Sequence, residues 1–165
     1  MNERVNVYSE DWDVERSPRG MQERYLFALR RAGGEKLGGT IFEVEPGWTS
    51  YYHLHHGNEE MVLVLDGSPT LRTADGEREL RPGDVAFFRR GLDGAHALEN
   101  RSEGPVRFIV FSTMVSPDIA EQTETGVVGV YAGDSPTAGR DAPLELQFRR
   151  DSAVGYFDAL SDEPS

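Results

Sequence analysis

Along this chain short apolar bursts alternate with clusters of glycine, proline and aspartate. Residues 40–44, Thr-Ile-Phe-Glu-Val, alternate in part and stop at Pro46-Gly47, which predicts a strand closed by a turn. Residues 61–65 form an unbroken apolar run ended by Asp66-Gly67, a second strand. Residues 69–73 alternate, Asp75-Gly76 is a hairpin turn, and residues 77–80 return from it. After Pro82-Gly83-Asp84, residues 85–88 and 96–100 read as short strands and residues 106–111 as a longer apolar one. Short strands at intervals of roughly 8 to 12 residues, punctuated by glycine and proline, predict a sandwich or barrel.

The flanks carry weaker patterns. Residues 1–20 are polar, break at Ser17-Pro18-Arg19-Gly20, and read as an arm that pairs or packs late. Residues 24–30 suit helix or strand and are read as a strand ended by Gly33-Gly34. Residues 116–121 read as a short helical turn, with Pro117 at its first position and acids within it. Residues 126–131 and 144–148 suit strands, and residues 134–142 are loop by composition. Residues 152–160 are expected to form a closing helix capped by Ser152, followed by a frayed end at 161–165.

With 165 residues the chain is one domain by size, large enough to bury a core. It has no cysteine, so disulfides, thiolate nucleophiles and cysteine-ligated zinc drop out. A net charge of −12 opposes a nucleic-acid partner, which asks for a basic face. It leaves room for an anionic small molecule, because a metal and a few arginines reverse the field locally. The first residues lack a basic segment followed by an apolar one, and no apolar run is long enough to span a bilayer. A cytoplasmic location, with no membrane partner, is expected.

Three of the four histidines fall between Gly47 and Gly67. In a strand His53 and His55 project to one face. The polar segment His56-Gly57-Asn58-Glu59 turns the chain, and if the flanking strands pair as a hairpin, Glu60 sits nearly opposite His55. Two imidazoles and a carboxylate suit a divalent first-row transition metal. A His-x-His pair alone is more often surface or core, but His96 lies in a second segment with its own turns. His56 points away from His55 in a regular strand and reads as a turn residue or one orienting Glu59 or Glu60; a bulge would exchange His56 for His55. Tyr51 shares the face of His53 and Leu98 that of His96, so both are candidate walls of a ligand pocket. Tyr51 reads first as an inward aromatic filling the barrel, and its phenol is a candidate donor or acid there. Arg89 and Arg90, in the loop before His96, are candidates for holding a carboxylate or phosphate at the barrel mouth, or a solvated basic pair.

These residues resemble the two motifs of the cupin superfamily. Gly47, His53, His55, Glu60 and Gly67 fit the first motif at every spacing, and Gly83, Gly91, His96 and Asn100 stand at positions of the second. The second motif departs in two places: Arg89 replaces its proline, and four residues rather than two separate Gly91 from His96. The resemblance covers roughly residues 39–113. It implies an all-β double-stranded β-helix, or jelly-roll barrel, with residues 1–38 as arm and strand and 114–165 as an extension containing a short helix and packing on the barrel. It also implies a homodimer, and iron or manganese as the metal; nickel, zinc, cobalt and copper tolerate the same donors.

Ligands His53, His55, Glu60 and His96 would leave up to two cis positions open on an octahedral ion, one ion per chain. That favours a small-molecule metalloenzyme, either an oxygenase or an isomerase or lyase using the metal as a Lewis acid. The alternative is a non-catalytic barrel that binds or senses a small ligand. A helix-turn-helix regulator has no room in this chain, and a storage role fits a complete ligand set poorly.

Overall fold

Strands that are apolar on both faces need cover on both sides, and the six-stranded sheet of this protein has it. The computed structural model describes residues 4–133 and 144–156. In chain order the strands are β1 (Val14–Arg16), β2 (Glu23–Leu26), β3 (Gly38–Val44), β4 (His53–His55), β5 (Glu60–Asp66), β6 (Thr70–Thr73) and β7 (Gly76–Glu79). They continue with β8 (Val85–Phe88), β9 (His96–Glu99), β10 (Val106–Ser112), β11 (Asp118–Gln122), β12 (Val127–Ala132) and β13 (Leu144–Arg149). One sheet runs β1-β2-β3-β10-β5-β8 and the other β13-β12-β11-β4-β9-β6-β7. Every pairing is antiparallel, so the molecule is the all-β jelly roll expected. No helix among the described residues is long and apolar enough to cross a membrane.

The inner face packs Val62, Val64, Phe88, Leu98, Phe108 and Trp48 between the sheets. On the outer face of the six-stranded sheet, Leu26, Ile41 and Ile109 form a second cluster with Leu63 and Leu65. The N-terminal arm covers it with Val5, Val7 and Trp12. The Arg107 guanidinium lies 4.7 Å from the centre of the Trp12 ring while pairing with Glu43 at 2.8 Å. That double cover explains the unbroken apolar run of β5.

Four local expectations change. β4 and β5 do not form a hairpin; they lie in opposite sheets, and residues 56–59 cross between them. The crossing is pinned from the C-terminal side: Gly57 N–H donates to Asp118 at 2.8 Å, and the buried Asn58 accepts from Thr113 at 3.0 Å and Val115 N–H at 2.5 Å. Residues 116–121 are not helical, because β11 finds partners on both edges, β4 and β12, and a two-sided ladder outweighs local propensity. The strand from residue 24 stops at Leu26 and passes into a one-turn helix, α1 (Ala28–Arg31). There Asp13 accepts from Phe27 N–H at 2.7 Å and from Arg31 at 2.8 Å. Ser152 caps no helix: it ends a 3₁₀ turn, Arg150–Ser152, and donates to the Arg149 carbonyl at 2.6 Å. Residues 153–156 are irregular, while residues 134–142 and 157–165, read as loop, helix and frayed end, lie outside the described residues.

Asn100 is the polar keystone beside the site. Its side chain is buried, donates to the carbonyls of Val44 and Gly104 at 2.9 Å each, and accepts from Ser102 N–H and Oγ at 3.0 and 2.7 Å. Asn100→Ala removes the side-chain donor to the buried Val44 carbonyl and the acceptor of Ser102, so urea denaturation should show a loss of about 1–3 kcal/mol. An unchanged midpoint would contradict this account.

Candidate metal centre

The period of two along β4 sends His53 and His55 into the barrel and Leu54 to the other face. β9 pairs with β4 so that His96 stands directly across from His53, the two rings 4.6 Å apart. Glu60 arrives from the opposite sheet as the first residue of β5. Its Oε2 lies 3.5 Å from His55 Nε2, 3.7 Å from His96 Nε2 and 3.9 Å from His53 Nε2. Ligand atoms of His53, Glu60 and His96 all fall within 4.8 Å of one another. The structure thus brings together all four residues singled out in the sequence.

The outer nitrogens settle which way each ring works. His53 Nδ1 meets the Tyr51 carbonyl at 3.0 Å and His96 Nδ1 meets the Gly94 carbonyl at 2.9 Å. A carbonyl only accepts, so both Nδ1 atoms carry hydrogen and both Nε2 atoms turn a lone pair inward. His55 Nδ1 is held by Asp118 at 2.6 Å. A carboxylate on the far nitrogen is the usual way to orient a metal-binding imidazole.

Burial, reinforced by the neighbouring His53, pushes His96 down to about 3. Burial also lowers His53, against the pull of the Glu60 charge. These two rings are therefore neutral, as metal ligands must be. At His55 burial again acts downward, but the Glu60 charge and the Asp118 hydrogen bond outweigh it and raise the ring to about 9. Burial acts to raise Asp118, yet its hydrogen bond to His55 prevails and holds it at about 2. Without a metal, the raised His55 ring carries the positive charge that Glu60 and Asp118 favour at this point. A bound ion would take the place of its Nε2 proton, and three nitrogens with one carboxylate oxygen fit a divalent first-row ion.

Two supports were invisible in the sequence. Phe88, read there only as a strand residue, stacks on His96 with ring centroids 3.5 Å apart and planes 4° from parallel. The sequence places Asp118 only as one of the acids within the expected turn at residues 116–121; its role appears because β11 lies beside β4. The longer loop before His96 is absorbed locally. Gly91 N–H donates to the His55 carbonyl at 2.8 Å, and the chain then folds through a 3₁₀ turn, Leu92–Gly94. At Gly94 a Cβ would lie 1.6 Å from the Arg89 carbonyl, so only glycine closes this turn.

The same fold corrects the placement of Arg89 and Arg90, whose side chains are exposed and do not line the cavity above the cluster. That cavity, about 500 Å³, is lined instead by Arg16 and Arg19 of the N-terminal arm. Arg16 is engaged by Glu23 at 2.6 Å and the Tyr25 hydroxyl at 2.9 Å. Glu23 is buried and also accepts from Trp48 Nε1 at 2.5 Å. Leu98 is a buried part of the wall. Tyr51 lines the cavity too, although it precedes β4 and has a left-handed φ of 60°. His56 lies on the outer side, 3.3 Å from Glu121, which also pairs with Arg150 at 2.5 Å.

Residues 40–112 match the family model of the Cupin domain. With this topology and motif set, that segment is a cupin domain. Among solved structures, a sugar phosphate isomerase from a cupin superfamily, from Silicibacter pomeroyi DSS-3, is 26% identical with a TM-score of 0.69, over 82% of each chain. The polyketide cyclase RemF from Streptomyces resistomycificus is 27% identical with a TM-score of 0.55, over 72% of this chain and 84% of that one. A Cupin 2 conserved barrel domain protein from Salinispora arenicola CNS-205, 18% identical with a TM-score of 0.51, shares the fold over 67% of this chain and 89% of its own. No curated protein matches the chain in sequence.

Metal analysis of purified variants tests the cluster. His53→Ala, His55→Ala and His96→Ala should each lose most of the bound metal, and His56→Ala should keep it; a reversed ranking of His55 and His56 would overturn the register. Asp118→Asn should weaken metal affinity roughly 10–100-fold without unfolding the protein, measured by competition with a chelating dye.

Proposed function

We propose that this protein is a metal-dependent enzyme acting on a small hydroxy-carbonyl compound by a redox-neutral isomerase or lyase type of reaction. The observation that carries this reading is the convergence of three imidazole nitrogens and one carboxylate oxygen inside a cavity of about 500 Å³, a volume suited to a small metabolite. His53, His55, Glu60 and His96 would hold one divalent first-row ion, iron or manganese first among them. When bound there, such an ion would supply Lewis-acid polarisation of a substrate carbonyl.

The chain's own groups do the rest. Phe42, Leu98, Phe108 and Val110 form apolar wall and exclude water from the reacting end. The Tyr131 hydroxyl accepts from Gln147 at 2.6 Å, which leaves its proton to donate to a substrate hydroxyl. Gln122 accepts from Thr125 at 2.9 Å and keeps its amide hydrogens for the cavity. The likeness to an isomerase and a cyclase, at 26% and 27% identity, supports carbonyl chemistry over oxidation. In the reaction proposed here, a C–H bond next to the substrate carbonyl would be labilised.

Proton exchange at that carbon is the direct test. Protein loaded in turn with manganese, iron, cobalt, nickel or zinc would be incubated in deuterated buffer with aldoses, ketoses and their phosphates. Mass spectrometry should show metal-dependent gain of deuterium beside the carbonyl, abolished in His96→Ala. Oxygen uptake by the iron form without exchange would replace this reading with an oxygenase. Ligand binding with neither outcome would establish the non-catalytic binding barrel.

A further inference from the structure

Among the described residues, the cavity wall carries one cation, Arg19, that is not paired with a carboxylate. Arg16 is neutralised by Glu23, whereas Arg19 has no carboxylate partner among the described residues. Its guanidinium lies 5.2 Å from the centre of the Tyr51 ring and donates to the Tyr51 hydroxyl. The phenol oxygen accepts that bond, so its own hydrogen remains available to a ligand, as do the other guanidinium hydrogens. Both side chains line the cavity, and Arg19 is exposed to solvent at its rim.

The backbone has been bent to present this pair. Arg19 has φ of 55° and Tyr51 φ of 60°, and with Met114 they are the non-glycine residues in the left-handed region among those described. Side chains held there against their own preference mark places where position matters more than local comfort. Tyr51 also ties the pair to the metal centre, since its carbonyl accepts from His53 Nδ1 at 3.0 Å. One short segment therefore sets the spacing between a cationic fork and the inward histidines.

We propose that Arg19, braced by Tyr51, is the anion anchor of this cavity, and that the substrate carries an oxyanion, phosphate or carboxylate, at the end remote from its carbonyl. This rests on the carbonyl-chemistry reading for the far end of the molecule, but not for the anchor itself. A guanidinium recognises either group through two parallel N–H bonds. In a chain of net charge −12, such a site also supplies the local positive field that an anionic ligand needs.

Isothermal titration of metal-loaded protein with inorganic phosphate and, separately, with acetate tests the anchor without turnover. Wild type should bind at least one of them, and the preferred probe names the oxyanion. Arg19→Gln should weaken that binding about ten- to a hundredfold at unchanged metal content and circular dichroism. Arg19→Lys should fall between, having charge without the fork, and Tyr51→Phe should weaken binding severalfold by loosening the brace. Equal binding by wild type and Arg19→Gln overturns the proposal, because the anion then sits on the metal or elsewhere. Absence of binding to wild type overturns it as well. Arg19-dependent binding with no deuterium exchange would instead keep the anchor and remove the enzymatic reading.

Discussion

Imidazoles and a carboxylate packed together inside a protein need a positive charge among them, and this barrel gathers His53, His55 and His96 around Glu60 at one point. Burial keeps His53 and His96 neutral. Tyr51 and Gly94 carbonyls fix their outer hydrogens, and Asp118 does the same for His55. None of the rings is left free to turn away. The two sheets must meet correctly for this to work, because the histidines come from one and Glu60 from the other. The crossing at residues 56–59 and its ties to Asn58 and Asp118 therefore serve the site as much as the fold.

Labour is divided along the chain. The part that matches the Cupin domain, residues 40–112, contains all four inward donors together with Phe88 and the glycine-closed loop before His96. The flanks contribute what such a core lacks. The N-terminal arm adds Arg16, Arg19 and Glu23 to the cavity, and the C-terminal extension adds Asp118, Gln122 and Tyr131. Under the proposed function, the flanks would therefore share with the core in shaping the substrate-facing wall, while the core alone supplies the four inward donors.

Both flanks reach the cavity by strand addition. β1 and β2 lengthen one sheet beyond β3, and β11, β12 and β13 lengthen the other beyond β4. The alternation of each added strand then decides which residues face inward: Gln122 on β11 and Tyr131 on β12 do so, while Ile119 and Val130, one residue out of phase, pair on the opposite face.

Much of this was written locally in the sequence. The positions of the strands from residue 40 to 111, the turns at Gly47, Gly67 and Asp75-Gly76, and the common face of His53 and His55 follow from a two-residue period and from glycine's freedom. Neither depends on distant neighbours. What the tertiary structure alone decided was pairing. It placed β5 opposite β4 rather than beside it, and made residues 118–122 a strand against local signals for a helical turn. It also turned Arg89 and Arg90 outward and brought Arg19 to the cavity in their stead. Each of these depends on a contact between residues far apart in the chain: Asp118 with His55, Arg19 with Tyr51, Gly91 with His55. A period along one strand names the face a side chain takes; only the neighbour supplied by the fold says what that face meets.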